Sequence, residues 1–121
     1  MATPRNRSRE LQWFCMEQQG FHFDLLRYGP DAHYAPPSPS AARAYCRRLA
    51  VTHYENFSVA TWLLPRRLHQ HFHNVYAYCR WADDLADETA GGQPALALLA
   101  WWRQELLRCY QGEPRHPVMV A

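Results

Sequence analysis

Apolar side chains recur at helical spacing in three stretches of the chain, and no stretch shows the strict alternation typical of a half-buried strand. The first stretch follows Ser40, which can cap a helix that runs to Ala50. The second follows Pro65, whose missing N–H suits the first position of a helix, and Gly91-Gly92 ends it. Its apolar positions form one stripe: Leu68, Phe72, Val75, Cys79, Ala82 and Ala86. The pattern predicts an all-α fold.

The third stretch predicts a helix from Pro94 to about Gln111, because Gly112 follows it directly. The positions on its apolar face are Leu99, Trp102, Leu106 and Cys109. The Trp101-Trp102 pair is most simply explained by packing between helices.

Two further apolar segments complete the pattern. We expect the aromatic stretch from His53 to Leu64 to be a buried short helix or turn. Residues 117–121 are apolar to the last position, which leads us to expect the front part of a larger helical domain.

Residues 1–39 carry no sustained period and end in Pro36-Pro37-Ser38-Pro39, so we expect a flexible extension and proline-rich linker with at most a short helix around Glu10–Gln19. Residues 40–121 would form the domain.

Composition narrows the function classes. The chain has 121 residues and a net charge of +2, too small a basic excess to indicate nucleic acid as a partner. No apolar run reaches the length of a membrane span, and no signal peptide is predicted. The 4 cysteines form no CxxC pair, and three of them have apolar or helix-forming neighbours, which predicts free, buried, reduced thiols there. A reducing, cytoplasmic location fits this pattern, with membrane association left open.

Four carboxylates crowd residues 83–88, near the end of the second predicted helix. Asp83 and Asp87 are one turn apart, and the same row includes Arg80 and Tyr76. Like charges one turn apart repel by about 0.2–0.5 kcal/mol, and carboxylates at a helix C-terminus oppose the macrodipole. A cation would offset both costs, and oxygen ligands without His or Cys favour Mg²⁺. The alternative is a solvated acidic face.

Two other polar groups have simpler explanations. His69 and His73 are one turn apart and could bind a transition metal, but a polar helix face is favoured because no carboxylate joins them. Arg66-Arg67 is favoured as a solvated helix start, with contact to anionic lipid at the membrane surface as the alternative.

Three motifs in order along the chain carry a family resemblance. They are HYENF at His53–Phe57, LLP at Leu63–Pro65 and VYAYCRWADDLADE at Val75–Glu88. Together they resemble the squalene/phytoene synthase family over residues 40–121, and most of all its bacterial hydroxysqualene synthase branch in the hopanoid pathway. The resemblance implies the N-terminal part of the all-α isoprenoid synthase fold, with Mg²⁺ held against a prenyl diphosphate.

The resemblance also implies the roles of individual residues. They are catalytic Tyr76, Asp83 and Asp87; substrate-binding His53, Asn56, Phe57 and Arg80; and metal-binding Asp83, Asp84 and Asp87. The implied activity is that of a prenyl transferase or synthase of squalene biosynthesis that ionises presqualene diphosphate or farnesyl diphosphate with the help of Mg²⁺. Phytoene synthase and presqualene diphosphate synthase are the alternatives within the family.

Family members carry a second acidic motif further downstream, and this sequence ends before one occurs. We therefore expect the chain alone to be inactive, with a complementing C-terminal half as a partner. A non-catalytic helical interaction module, or the remnant of a split or truncated enzyme, remains the alternative.

Overall fold

The computed structural model describes residues 20–53 and 62–121, and of His53 only the backbone. Within these ranges all regular structure is helical, which confirms the all-α prediction. The helices are α1 at residues 20–28, α2 at Pro39–His53, α3 at Arg66–Asp87, α4 at Gly92–Tyr110 and α5 at Pro117–Val120. The chain divides into two units, with the boundary between Tyr34 and Ala35.

The first unit contains a helix that the sequence pattern did not predict. Helix α1 ends at Tyr28, and the backbone N–H of the next residue, Gly29, donates to the carbonyl of Leu25 at 2.8 Å. A Cβ at Gly29 would collide with that same carbonyl oxygen, so glycine is required there. The rings of Tyr28 and Tyr34 then meet edge to face, 5.2 Å apart. The short helix expected around Glu10–Gln19 lies outside the described residues.

Helix α2 starts earlier and ends later than predicted. Ser38, and not Ser40, provides the cap, since its Oγ accepts from the N–H of Ala41 at 3.2 Å. Pro39 is the first helical residue, and a proline at that position loses no helical hydrogen bond. Because the capping residue directly precedes the first helical residue, the cap is Ser38. The helix continues to His53.

Helix α3 buries a different face from the predicted stripe. Its buried residues are Ala77, Trp81, Asp84 and Leu85. Phe72 and Val75 of the stripe are 41% and 62% exposed. The prediction was wrong because the helix has apolar residues on two sides, and α2, α4 and α5 pack against the side that carries Trp81. The predicted helix itself is confirmed, with Pro65 one position before its first residue.

The core between these helices is aromatic. The rings of Trp81 and Trp102 stack at 5.3 Å with an interplanar angle of 16°. His116 meets both rings edge-on, at 4.5 Å and 4.8 Å. Burial lowers the pKa of His116 to about 3, and the positive charge of Arg115 contributes to the shift. The expected packing of the Trp101-Trp102 pair between helices is confirmed, with Trp102 buried and the half-buried Trp101 ring 6.3 Å from that of Trp81.

Helix α4 and the turn after it match the prediction closely. The helix begins at Gly92 and ends at Tyr110, within two residues of the expected bounds. Gly112 has a φ of 81°, and the next N–H, that of Glu113, donates to the carbonyl of Arg108 at 3.0 Å. These are the features of a Schellman motif, which explains why glycine stands there.

The last apolar residues are buried in the second unit. Pro117, Val118 and Met119 of α5 are buried, and α5 contacts α2, α3 and α4. The N–H of Val118 donates to Nδ1 of His116 at 3.2 Å, which caps this short helix. The apolar side chains of this segment therefore pack against helices of the same unit.

The end of the stretch from His53 to Leu64 is described at residues 62–64, where only Leu64 is half-buried. Trp62 and Leu63 are 83% and 78% exposed, so the predicted buried turn is wrong at these positions. Residues 54–61 lie outside the described residues.

Three cysteines are described, and all three are free thiols as predicted. Cys46 is buried, and burial raises the pKa of its thiol to about 12. Cys79 is exposed, contrary to the expectation of buried thiols, because it lies on the uncovered side of α3. No helix within the described ranges has both the length and the apolarity needed to cross a bilayer.

Candidate functional site

The last two turns of α3 present two carboxylates to solvent. Asp83 and Asp87 are both exposed and stand one helical turn apart. Neither takes part in an ion pair within residues 20–53 and 62–121. The last turn of α3 contains no basic residue that would balance them. Both carboxylates are therefore accessible to a cation from solution.

Asp84 differs from its neighbours. It is buried, and its Oδ2 accepts a hydrogen bond from Nε of Arg80 at 3.0 Å. The side chain of Asp84 is 11% exposed and that of Arg80 is 28% exposed, so the ion pair is largely shielded from water. Arg80 thus lies in the same row as Asp83 and Asp87 on α3, and its Nε bonds to the buried Asp84 beside that row.

Tyr76 lies one turn before Arg80 on the same continuous helix and is half-buried. Since α3 is unbroken from Arg66 to Asp87, Tyr76 and Arg80 share a side of the helix with the two exposed carboxylates. The backbone of His53 ends α2, and Asn56 and Phe57 lie outside the described residues.

The donor set of this row suits a hard cation. Asp83 and Asp87 offer carboxylate oxygens, and Mg²⁺ is typically held by one or two carboxylates with water and substrate phosphate completing the coordination. No group of three His, Cys, Asp or Glu side chains within the described ranges could by itself hold a metal ion. The chemistry of the pair therefore fits Mg²⁺ that is shared with a phosphate ligand.

The histidines at the start of α3 have other contacts. Nε2 of His69 lies 2.9 Å from the carbonyl oxygen of Leu64. Burial lowers the pKa of His73, and His69 and Arg47 nearby lower it further. Both histidines are half-buried, so this part of α3 is less open to solvent than the carboxylate pair.

One relationship at the site was missed by the sequence analysis. Arg80 and Asp84 stand at positions i and i+4 with opposite charges, a spacing at which ion pairs form on helices. That signal was present in the sequence. The prediction grouped the acidic residues with one another and did not consider an ion pair between Arg80 and Asp84.

A comparison with family models matches residues 50–121 to the model described as squalene/phytoene synthase. The chain is 32% identical over 84 residues to a 15-cis-phytoene synthase of Synechococcus elongatus. The matched segment covers 69% of this chain and 27% of that protein. It is 31% identical over 81 residues to a presqualene diphosphate synthase of Rhodopseudomonas palustris. That match covers 67% of this chain and 27% of the relative.

Among solved structures, the chain is similar to the squalene synthase HpnC from Alicyclobacillus acidocaldarius. The two share 44% sequence identity with a TM-score of 0.61, over 67% of this chain and 30% of that chain. The helical fold described above is the fold of that protein over the matched part. This chain spans about 27% of the length of the two synthases and 30% of the crystallised chain.

Proposed function

This chain belongs to the squalene/phytoene synthase family, and on that premise we propose that it supplies part of a site that processes a prenyl diphosphate, inactive without a complementing C-terminal half. The observation that carries the proposal is the pair of exposed carboxylates, Asp83 and Asp87, one turn apart and beside the half-buried Arg80. The relatives include a presqualene diphosphate synthase, whose name places a prenyl diphosphate at its site.

In this proposal Asp83 and Asp87 hold the metal. Family members use a divalent metal ion, and the oxygen-only donor set is the one that Mg²⁺ prefers. When bound, Mg²⁺ neutralises part of the charge on a diphosphate leaving group. The repulsion between the two carboxylates, and between each carboxylate and the helix C-terminus, is relieved at the same time.

Arg80 is the proposed diphosphate ligand. A guanidinium donates several hydrogen bonds in one plane, a geometry that matches phosphate oxygens. Its charge falls next to the proposed metal, since Arg80 and Asp83 are three positions apart on α3. Arg80 thus stabilises negative charge as it develops on the departing diphosphate.

Tyr76 is the proposed contact for the prenyl part. Its ring lies one turn from Arg80, where an aromatic face can stabilise a carbocation left after the diphosphate departs. The apolar and aromatic surroundings that such a cation needs would also exclude water. His53, Asn56 and Phe57 complete the proposed substrate site by family resemblance.

We propose presqualene diphosphate or farnesyl diphosphate as the substrate, within squalene and hopanoid biosynthesis. The 44% identity to a squalene synthase supports this assignment. The identities to a phytoene synthase and a presqualene diphosphate synthase, 32% and 31%, make these reactions the alternatives within the family.

The test is calorimetric titration of this 121-residue chain with farnesyl thiodiphosphate, with and without Mg²⁺. We expect binding that EDTA abolishes and that Asp83→Asn weakens at least about tenfold, since even the loss of an outer-shell partner of a metal ligand costs about 10–100-fold. Glu88→Gln is the matched control, because it removes a charge from the same helix end. Equal binding by both variants, or binding independent of Mg²⁺, would contradict the proposal.

A non-catalytic helical interaction module is the second candidate, and the uncovered apolar side of α3 favours it. Phe72, Val75 and Cys79 are exposed there, a surface suited to a helical partner such as a complementing C-terminal half. The same calorimetry separates the two candidates, since a module alone predicts no diphosphate binding and no role for Asp83.

Peripheral membrane contact is proposed at the start of α3. Arg66 and Arg67 are both exposed there and could meet anionic headgroups. Co-sedimentation with vesicles containing phosphatidylglycerol, lost on substitution of both arginines by Gln, would support this contact. Equal sedimentation of both proteins would exclude it.

A further inference from the structure

We infer that Asp84 acts as a positioning residue that orients Arg80 toward the diphosphate, and that it is not a third metal ligand. The inference rests on the proposed function and deepens it. Three carboxylates stand close together in sequence at this end of α3, and the structure gives one of them a separate task.

The burial of the three carboxylates separates Asp84 from the other two. Successive residues on a helix point about 100° apart, so neighbours in sequence face different surroundings. Asp83 and Asp87 face solvent, whereas Asp84 is 8% exposed and lies on the buried side of α3 with Trp81 and Leu85. Asp83 and Asp87 would therefore offer two accessible carboxylates to a metal ion without the buried one.

The contact with Arg80 gives that buried carboxylate its partner. Nε of Arg80 donates to Oδ2 of Asp84 at 3.0 Å, a normal length for a charge-assisted hydrogen bond. A largely buried carboxylate without a cation would be costly, so the pair holds together strongly. This bond engages Oδ2 of Asp84, so a metal ion at that oxygen would have to displace Arg80.

A hydrogen bond at Nε controls the direction of the whole guanidinium. The group is planar and conjugated through Nε, so fixing the Nε–H bond fixes the plane in which the terminal amino groups lie. An arginine held in this way loses less conformational freedom when it binds phosphate. The expected contribution of Asp84 is therefore a preset orientation of Arg80.

The charge of Asp84 acts in the opposite direction. A carboxylate beside Arg80 reduces the positive potential that attracts an anion, so its removal alone would strengthen diphosphate binding. The test therefore needs a control variant that removes one negative charge near Arg80 and leaves the orientation of Arg80 unchanged. Glu88→Gln meets this need, since Glu88 follows Asp84 by one turn and has no assigned role in binding.

The binding test separates the anion from the metal by titrating the chain with pyrophosphate in Mg²⁺-free buffer and with Mg²⁺ alone. We expect Asp84→Asn to bind pyrophosphate about tenfold more weakly than Glu88→Gln, the effect expected when a hydrogen bond to a charged group is lost. We expect its affinity for Mg²⁺ to equal that of Glu88→Gln. Asp83→Asn should show the reverse, with Mg²⁺ affinity lowered and pyrophosphate affinity retained.

A spectroscopic signal reports the orientation directly. In a ¹H–¹⁵N spectrum, the Nε–H resonance of Arg80 should be slow to exchange in the parent chain, and Arg80→Lys assigns it by its disappearance. We expect Asp84→Asn to accelerate that exchange and Asp84→Glu to restore part of the protection. Far-UV circular dichroism checks that each variant keeps its helicity. If Asp84→Asn does not, Asp84→Glu replaces it in the test of positioning. We then expect the pyrophosphate affinity of Asp84→Glu to lie between those of the parent chain and Arg80→Ala.

Each outcome has one meaning. A loss of Mg²⁺ affinity in Asp84→Asn as large as in Asp83→Asn would make Asp84 a metal ligand and overturn the inference. Equal pyrophosphate affinity in Asp84→Asn and Glu88→Gln would overturn positioning while the proposed function stands. A parent chain that binds neither Mg²⁺ nor pyrophosphate would overturn the proposed function itself, and the inference with it.

Discussion

The indole N–H of Trp81 donates a hydrogen bond to the hydroxyl oxygen of Tyr45 at 3.0 Å, and this bond joins α3 to α2 inside the core. Both residues are buried, at 1% and 5% exposure. Trp81 lies three positions before Asp84 on α3, so the contact also holds the segment that carries the candidate site.

Tyr45→Phe should destabilise the chain by about 1–3 kcal/mol, because the buried indole N–H loses this acceptor while the ring volume stays nearly unchanged. The free energy of unfolding in urea, followed by circular dichroism, measures the effect. Tyr110→Phe is the matched control, since Tyr110 is 83% exposed and should change stability little. Equal stabilities for the two variants would show that the hydrogen bond contributes nothing net.

The two apolar sides of α3 should respond differently to truncation. Leu85 is 0% exposed, and Leu85→Ala should cost about 2–5 kcal/mol through lost burial and a cavity. Val75 is 62% exposed, and Val75→Ala should lie within about 0.5 kcal/mol of the parent chain. Urea unfolding of both variants decides which side is the core. A larger loss for Val75→Ala would contradict the packing described above.

Stability should fall as the pH drops below about 6.5, because burial lowers the pKa of His116 to about 3. The folded state holds this histidine neutral, whereas the unfolded chain takes up a proton near pH 6.5. The contribution of His116 to the free energy of unfolding is therefore complete above pH 6.5 and is lost between pH 6.5 and 3. Over that range the free energy of unfolding changes by at most about 1.4 kcal/mol per pH unit. The pKa of His73 is lowered too and acts in the same direction.

The measurement is urea unfolding at pH 7.5 and at pH 5. His116→Gln should reduce the difference in unfolding free energy between the two pH values, whereas His71→Gln, at an exposed position, should leave it unchanged. Retention of the full difference in His116→Gln would assign the pH dependence to other groups.

The described thiols should differ in reactivity. Burial raises the pKa of Cys46 to about 12, so little thiolate forms at neutral pH, and the side chain is also inaccessible. Cys79 is exposed and should react first with iodoacetamide. Peptide mapping by mass spectrometry after brief labelling, in native buffer and in urea, gives the order. Native labelling of Cys46 as fast as Cys79 would contradict the core around α2.

Local chemistry made several features predictable from the sequence. Gly112 marked the end of α4, since a left-handed residue there lets the final carbonyls be satisfied, and the observed φ of 81° agrees. Pro65 marked the start of α3 to within one residue. The motif around Arg80 and Asp83 identified the family, and the match over residues 50–121 confirms it.

Helix α1 shows where local pattern is too weak. Residues 20–28 lack a sustained apolar period, so nothing in the sequence marked them as helical. The cap of α2 was misplaced for a related reason. Ser38 and Ser40 are both good capping residues, and the preference of Pro39 for the first turn decides between them.

The sequence by itself determined the three long helices, the start of α3, the bounds of α4 to within two residues and the row of Tyr76, Arg80, Asp83 and Asp87, because helical periodicity and capping depend on neighbours along the chain. The tertiary structure decided which apolar side of α3 is covered and which carboxylate turns inward. Both depend on α2, α4 and α5, which approach from distant parts of the sequence and cover the side with Trp81. Asp84 is buried by that packing, and its pairing with Arg80 follows because a buried carboxylate needs a cation beside it.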